Sequence, residues 1–165
     1  MAPSLSPSTL LATWRRLAPR PGGRWLFSVL LGRFVRYTGS IAPRVRELAP
    51  GRAVVAMRDR RAVRNHLRSV HAVALANLAE VSSGLALLAG LPAGTRAILV
   101  GLEVDFLKKG RGELLSRCDF AAVTSAEPRD VVVESVITDL AGDVVARGRA
   151  RWRVGPDSTA GRESP

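Results

Sequence analysis

A single glutamate stands inside a long apolar stretch of this chain. Between residues 72 and 89 most side chains are apolar or small, and Glu80 carries the one charge. A helix that is apolar on every side is buried or lies at an interface, and an unpaired charge there is costly. A carboxylate in such surroundings can act as a general base or a nucleophile, or it can pair with an arginine across an interface. Glu80 is therefore the first candidate for chemistry.

The elements that must position Glu80 follow from the hydrophobic pattern. A helix is predicted over about residues 72–89, ending near Gly90, Pro92 and Gly94. Period-two segments separated by turn residues predict six strands, at about residues 41–47, 53–58, 96–107, 113–124, 131–139 and 144–154. This order predicts an α+β fold in which a curved antiparallel sheet wraps around one long central helix.

Residues 1–40 are predicted to form a basic, amphipathic helical extension. Ser8 or Thr9 is expected to cap a first helix that runs to about Leu17, and a second helix is expected over about residues 24–37. The second helix has apolar side chains at helical spacing, namely Trp25, Leu26, Val29, Leu30 and Phe34. We expect this stripe to pack on the main domain; a membrane-surface anchor, a lid over a ligand channel and a transit peptide are the weaker alternatives.

Length and composition set the remaining expectations. The chain has the length of one domain, which we place at residues 41–154, followed by a polar tail at 155–165 that is predicted to be disordered. One cysteine and two histidines are too few for a zinc cluster, so no metal or other cofactor is predicted. Cys118 is expected to be an inert buried thiol. A soluble protein of the reducing cytoplasm is the expectation.

The positive charge is distributed unevenly along the chain. The net charge is +11, and eight arginines but no acidic residue precede Glu47. Because only 5% of the residues are aromatic, a base-stacking surface is not favoured, and no nucleic-acid partner is predicted. Contact of residues 14–46 with an anionic membrane is a further alternative that ranks below an acyl-ligand function.

A pattern of polar residues around the predicted helix start resembles a known family. Asn65 lies six residues before His71-Ala72, and Glu80 lies nine residues after His71. The pattern resembles that of hotdog-fold acyl-CoA thioesterases of the PaaI-like and 4-hydroxybenzoyl-CoA thioesterase-like kind. The resemblance covers about residues 41–154, and the N-terminal helices resemble those of an uncharacterised bacterial branch. Two positions differ: the family's usual glycine after the histidine is Ala72, and Gly84 stands where some members carry Ser or Thr.

The resemblance implies a hotdog fold and hydrolysis of an acyl-CoA thioester to a free acid and CoA. The Ala72 amide, at the start of the helix, would stabilise the carbonyl oxygen. Asn65 would orient the thioester or the attacking water, and His71 would orient the loop or contact the thioester. Glu80 would act as general base or nucleophile. Independently of the resemblance, helical spacing places Asn77 on the same face as Glu80, and Asn77 and Ser83 are expected to donate hydrogen bonds to its carboxylate. Basic residues at the end of a strand would contact the CoA phosphates, here Lys108, Lys109 and Arg111; a solvated turn is the alternative for these three.

The distance between two candidates predicts an assembly. Ala72 and Glu80 are eight residues apart on one helix, so about 12 Å along its axis, too far to act on one carbonyl. We therefore expect a homodimer with antiparallel central helices, which places Ala72 of one chain opposite Glu80 of the other. The resemblance implies the same shared site and also tetramers built from two dimers. The alternative function is a hotdog domain that binds acyl-CoA or another acyl ligand without turnover.

Overall fold

The computed structural model describes residues 6–157. Its helices are α1 (Pro7–Leu17), α2 (Gly23–Phe34), the one-turn α3 (Arg36–Gly39) and α4 (Ala72–Leu88), with a short 3-10 turn at Arg61–Val63. Its strands are β1 (Arg44–Ala49), β2 (Arg52–Arg58), β3 (Thr95–Phe106), β4 (Glu113–Asp119), β5 (Arg129–Thr138) and β6 (Val144–Pro156).

The six strands form one antiparallel sheet around α4. Their order is β1-β2-β4-β5-β6-β3, and α4 contacts all six. The helix can be apolar on most sides because sheet side chains cover it, and Leu78, Ala79 and Leu87 are fully buried. The predicted α+β fold, with a sheet around one central helix and an N-terminal helical extension, is confirmed.

The two edges of the sheet differ. α1 and α2 pack beside β1, where the buried rings of Trp14 and Phe27 meet edge to face at 5.0 Å. The Ser28 hydroxyl accepts a hydrogen bond of 2.9 Å from the Val45 amide of β1, so this helix satisfies part of the strand edge. At the other edge, β3 pairs with β6 on one side and with no other described strand.

The N-terminal helices differ in detail from the prediction. Ser6, not Ser8 or Thr9, caps α1 through a 3.2 Å hydrogen bond from the Thr9 amide. The second helix ends at Phe34, because Val35 leaves the helical conformation before α3 begins. The predicted docking stripe is wrong: its five residues, Trp25, Leu26, Val29, Leu30 and Phe34, are exposed. Phe27, Ser28 and Leu31, on the opposite side of α2, are buried instead.

Strand boundaries also shift by a few residues. β1 begins at Arg44 rather than at Ile41, which lies in the turn before Pro43. β4 ends at Asp119, and residues 120–128 contain no helix or strand. β6 continues to Pro156, so the predicted tail starts two residues too early; the expected disorder of residues 158–165 lies outside the described residues. The division at residue 40 stays a prediction. Buried residues of α1 and α2 belong to the same hydrophobic core cluster as those of the sheet.

Candidate functional site

The start of α4 presents an unpaired backbone amide. His71 is the N-cap, and its Nδ1 accepts a hydrogen bond of 3.1 Å from the Val73 amide, which requires a neutral ring nitrogen. The next amide, that of Ala72, donates no hydrogen bond to any residue in the described range, and Ala72 is exposed. This N–H lies at the positive end of the helix dipole, so it can bind a developing oxyanion.

Asn65 shapes the loop before the helix. Its Oδ1 accepts hydrogen bonds from the Leu67 amide at 2.9 Å and from the amide and hydroxyl of Ser69, both at 3.2 Å. Arg68 adopts a left-handed φ of 55° inside this loop. Because the oxygen of Asn65 closes the loop, its side-chain NH₂ is the group left to face a ligand.

A cleft of about 300 Å³ brings several candidates together. Asn65, Ala72, Lys108 and Lys109 line it, and three apolar side chains, Leu67, Phe106 and Leu107, are also in its wall. All three are about half exposed, at 50%, 49% and 59%. A free amide, an asparagine amide and apolar walls form a site that suits a polar carbonyl group on an apolar chain. Arg111 does not line this cleft.

The three basic candidates near the cleft have different surroundings. The Lys108 ammonium lies 2.7 Å from an oxygen of Asp139 and 2.5 Å from one of Asp143. Hydrogen bonds to these two carboxylates raise the pKa of Lys108 and offset its positive charge. Lys109 and Arg111 have no carboxylate within ion-pair distance among residues 6–157. They are therefore better placed than Lys108 to meet an anionic ligand.

Glu80 lies on the part of α4 that the sheet leaves open. It is half-buried, and its carboxylate has no hydrogen-bond or ion-pair partner in the described part of the chain. Burial raises the pKa of the Glu80 carboxyl. Val73, which is 51% exposed, and half-buried Ala76 lie two turns and one turn before it on the same side of the helix. Glu80 does not line the cleft that contains Ala72, and eight residues of helix separate it from the Ala72 amide by about 12 Å within one chain.

The predicted hydrogen bonds to the Glu80 carboxylate are wrong. Asn77 donates instead to the Tyr37 carbonyl at 3.2 Å, which ties α4 to α3. Ser83 donates to the backbone carbonyl of Glu80 at 2.9 Å and accepts a bond of 3.3 Å from the indole N–H of Trp152. Ser83 is fully buried and Asn77 is 7% exposed. That Asn77 and Ser83 contact substrate stays a prediction. The hydrogen bonds that they make within the chain connect α4 to α3 and to Trp152 of β6.

Trp152 explains the glycine one turn after Glu80. A Cβ on Gly84 would lie 3.0 and 3.1 Å from two carbon atoms of the Trp152 ring. A Ser or Thr at this position would therefore force the buried indole to move. The sequence offered no signal for this contact, since residues 84 and 152 are far apart in the chain and lie on different elements.

His71 and Asn77 line a second cleft, of about 200 Å³, between α3, the 3-10 turn and α4. The structure therefore brings Asn65, Ala72, Lys108 and Lys109 together and places His71 in the neighbouring cleft. Sequence reasoning missed the apolar wall formed by Leu67, Phe106 and Leu107. The sequence signal that could have identified this wall is the presence of large apolar residues in a predicted loop, at Leu67, and at the end of a predicted strand, at Phe106 and Leu107.

Comparison with known proteins agrees with this architecture. The solved structure of a mutant of PaaI, a phenylacetic acid degradation protein from Thermus thermophilus, has a TM-score of 0.60 and 21% identity, covering 72% of this chain and 97% of its own. A probable thioesterase from Pseudomonas aeruginosa, PA5026, has a TM-score of 0.65 and 22% identity, covering 78% and 91%. The fold is therefore the hotdog fold of proteins named as thioesterases.

Sequence similarity places the chain in one family. Residues 23–154 match the family described as a domain of unknown function, DUF4442, and the chain belongs to it. A structural-genomics protein designated APC5556 is 33% identical, with a TM-score of 0.77 over 91% of this chain and 98% of its own. No curated protein matches the chain. Within residues 6–157, no helix is long and apolar enough to cross a membrane.

Proposed function

We propose that this protein is an acyl-CoA thioesterase whose active site is shared between two copies of the chain. The observation that carries the proposal is the cleft at the start of α4, where the unpaired Ala72 amide and the Asn65 side chain meet an apolar wall. This arrangement suits a thioester carbonyl attached to an acyl chain. The thioesterase names of the fold neighbours support the same class of reaction.

The carboxylate would come from the second chain. Glu80 is about 12 Å along the helix from Ala72, and it lies on the open side of α4 with Val73 and Ala76. The apolar residues of this stripe suit burial against another copy of the chain, and the Glu80 carboxylate would then lie at the interface. Antiparallel α4 helices would place the Ala72 amide of one copy opposite Glu80 of the partner subunit, twice by symmetry.

The reaction then follows from the positions of these groups. The carbonyl oxygen would accept a hydrogen bond from the Ala72 amide, and the Asn65 NH₂ would orient the carbonyl or the water. Water would attack the carbonyl carbon while Glu80 takes its proton, and the tetrahedral oxyanion would stay at the Ala72 amide. The C–S bond then breaks, and the proton passes to the CoA sulfur. Attack by Glu80 itself, through an anhydride that water hydrolyses, uses the same positions.

CoA phosphates would bind to the basic residues near the cleft. Lys109 and Arg111 are exposed and have no carboxylate within ion-pair distance in the described range, whereas Lys108 is paired with Asp139 and Asp143. Arg111 interacts with Asp59 only at longer range, which helps to lower the pKa of that carboxyl. We therefore assign the larger share of phosphate binding to Lys109 and Arg111. The cytoplasm, as the compartment, and the choice between dimer and tetramer stay predictions.

One observation favours a second candidate function, binding of an acyl ligand without hydrolysis. Trp152 occupies the space that a hydroxyl-bearing residue at position 84 would need, so no helper hydroxyl lies there. An acyl-CoA binding protein would keep the cleft and the basic residues and lack turnover.

The experiment that separates the two functions is an assay of purified full-length protein against short, medium and long acyl-CoAs and aryl-CoAs. The thioesterase proposal expects hydrolysis of at least one of them and a loss of about 10²- to 10⁴-fold in kcat for Glu80→Ala. The matched control is Glu134→Ala, a change to an exposed carboxylate on β5. Binding of the same acyl-CoAs without hydrolysis by the wild type would contradict the proposal and establish the alternative.

A further inference from the structure

The outer side of α2 carries a patch of large apolar side chains. Trp25 is 64% exposed and Leu30 is 46% exposed. The patch, here named the α2 surface, consists of Trp25, Leu26, Val29, Leu30 and Phe34. Contiguous apolar patches on a protein surface mark interaction sites. Since α2 has 12 residues, about 18 Å of helix, it can lie on a bilayer but is too short to cross one.

The charge around the α2 surface has one sign. Six exposed arginines lie on α1, on α2 and beside them, namely Arg15, Arg16, Arg20, Arg24, Arg33 and Arg36. None of them has a carboxylate within ion-pair distance among residues 6–157. On the outer face of the sheet, acidic residues lie among the arginines and some of the arginines are paired, as in Arg149–Glu103 at 3.1 Å and Arg153–Asp130 at 2.8 Å. Because no acidic residue precedes Glu47, the N-terminal face is positive and has no carboxylates among its arginines.

A cleft of about 600 Å³ joins the apolar and basic parts of this face. It lies between α2, α3 and the start of β1, and Arg33, Arg36 and Arg44 line it together with Trp25 and Val29. A guanidinium group matches the geometry of a phosphate and binds it through two hydrogen bonds. Three guanidinium groups beside the indole ring of Trp25 form a site that suits a phosphate group bonded to a hydrocarbon chain.

We propose that the α2 surface binds the face of an anionic phospholipid bilayer. The helix lies parallel to the membrane plane, with Leu26, Val29 and Leu30 toward the acyl chains and with Trp25 and Phe34 on its two flanks at the level of the headgroups. A lipid phosphate binds in the cleft between Arg33 and Arg36, and the other arginines contact neighbouring headgroups. The α2 surface thus recognises a hydrocarbon layer that is covered by closely spaced anionic headgroups.

A second copy of the chain fits this face less well. In a two-fold contact the same patch lies on both partners, so arginines would face arginines with no acidic residue before Glu47 to compensate them. The bilayer proposal also stands apart from the proposed hydrolysis, because it is tested by binding alone.

The test uses full-length protein and sedimentation with vesicles. Vesicles that contain about 30% phosphatidylglycerol should bind the protein, with affinity falling as salt rises, and pure phosphatidylcholine vesicles should not. The combined change Arg33→Gln, Arg36→Gln and Arg44→Gln should weaken binding by about fivefold for each arginine, on the order of 100-fold together. The matched control, Arg117→Gln with Arg147→Gln and Arg151→Gln, removes equal charge from exposed sheet positions and should retain binding within about threefold.

A spectroscopic measurement places the contact on α2 itself. Trp25 is exposed, whereas Trp14 and Trp152 are buried at 7% and 6%. Brominated anionic lipids should therefore quench the fluorescence of the wild type and leave that of Trp25→Phe nearly unchanged. Equal binding to neutral vesicles, equal loss in the control variant, or quenching that persists in Trp25→Phe would overturn the proposal. A fall in molecular mass for Trp25→Ser with Leu30→Ser would assign the face to a second copy instead.

Discussion

The two edges of the sheet are completed in different ways. At the β1 edge, α1 and α2 bury Trp14 and Phe27 and provide the Ser28 hydroxyl to the Val45 amide. At the other edge, β3 is 12 residues long and exposes Ile98 and Phe106, and no described strand pairs with its outer side. A long unpaired strand edge is a site for association with another chain. The difference teaches that the chain covers one edge itself and leaves the other edge, like the open side of α4, uncovered among the described residues, which is consistent with the proposed second chain.

The substitution with the largest expected effect is Val73→Asp, which tests the open side of α4. Val73 is 51% exposed in the single chain and lies on the stripe proposed to meet a second α4. A buried unpaired carboxylate in that interface should weaken dimerisation by on the order of 100- to 1,000-fold. Hydrolysis should fall with it, because each proposed site needs both chains. Analytical ultracentrifugation and the acyl-CoA assay measure the two effects.

The control for this change is Val132→Asp. Val132 is 58% exposed on the outer face of β5, so the same substitution at similar exposure should leave the dimer and the activity intact. A Val73→Asp protein that stays dimeric and fully active would place the second chain elsewhere.

Phe27→Ala tests the closed edge. Phe27 is 3% exposed and packs against Trp14, so its truncation should lower the free energy of unfolding by about 3–5 kcal/mol. The association state should not change, since this edge is completed within the chain. Chemical denaturation and a mass measurement report the two quantities. Phe34→Ala, on the exposed side of the same helix, is the control and should cost less than about 1 kcal/mol. A Phe27→Ala protein that becomes monomeric would show that both edges serve assembly.

Mixing two inactive variants sharpens the comparison. If Asn65 and Glu80 of one site come from different chains, a Glu80→Ala chain and an Asn65→Ala chain complement each other in a mixed dimer. Random pairing then gives one intact site in half of the dimers, so about a quarter of the wild-type activity should return. The measurement is the acyl-CoA assay after unfolding and refolding the two proteins together. Recovery no greater than the sum of the two variants would mean that each site lies within a single chain.

Much of this architecture could be predicted because it follows from local pattern. The start of α4 at Ala72 agrees with the prediction, since a polar residue precedes an apolar run, and the six strands follow from period-two segments between turns. The docking side of α2 could not be predicted. Both sides of that helix carry large apolar residues, and only the tertiary fold selects Phe27 and Leu31 rather than Trp25 and Leu30.

The candidate site also has some features that could be predicted from the sequence and others that could not. Asn65, Ala72 and Glu80 could be proposed as candidates because their spacing along the chain resembles that of a known family, and the structure brings Asn65 and Ala72 to one cleft. The role of Ser83 could not, because it depends on Trp152, which is distant in sequence and reaches α4 only through the sheet. Likewise, the pairing of Lys108 with Asp139 and Asp143 requires the fold that brings the end of β3 and the β5–β6 turn together.

Glu80→Gln has the smallest expected effect and separates the catalytic interpretation of Glu80 from the structural one. Burial raises the pKa of Glu80 above its ordinary value of 4.5, so the ionised form destabilises the folded state, and this cost appears as the pH rises above that value. Glutamine does not ionise. The variant should therefore melt at a higher temperature than the wild type at pH 7, with the difference vanishing near pH 4. If an arginine of the partner subunit paired with Glu80, the sign at pH 7 would reverse, because the change would leave that arginine buried and unpaired. Glu134→Gln, at an exposed position, controls for loss of charge alone.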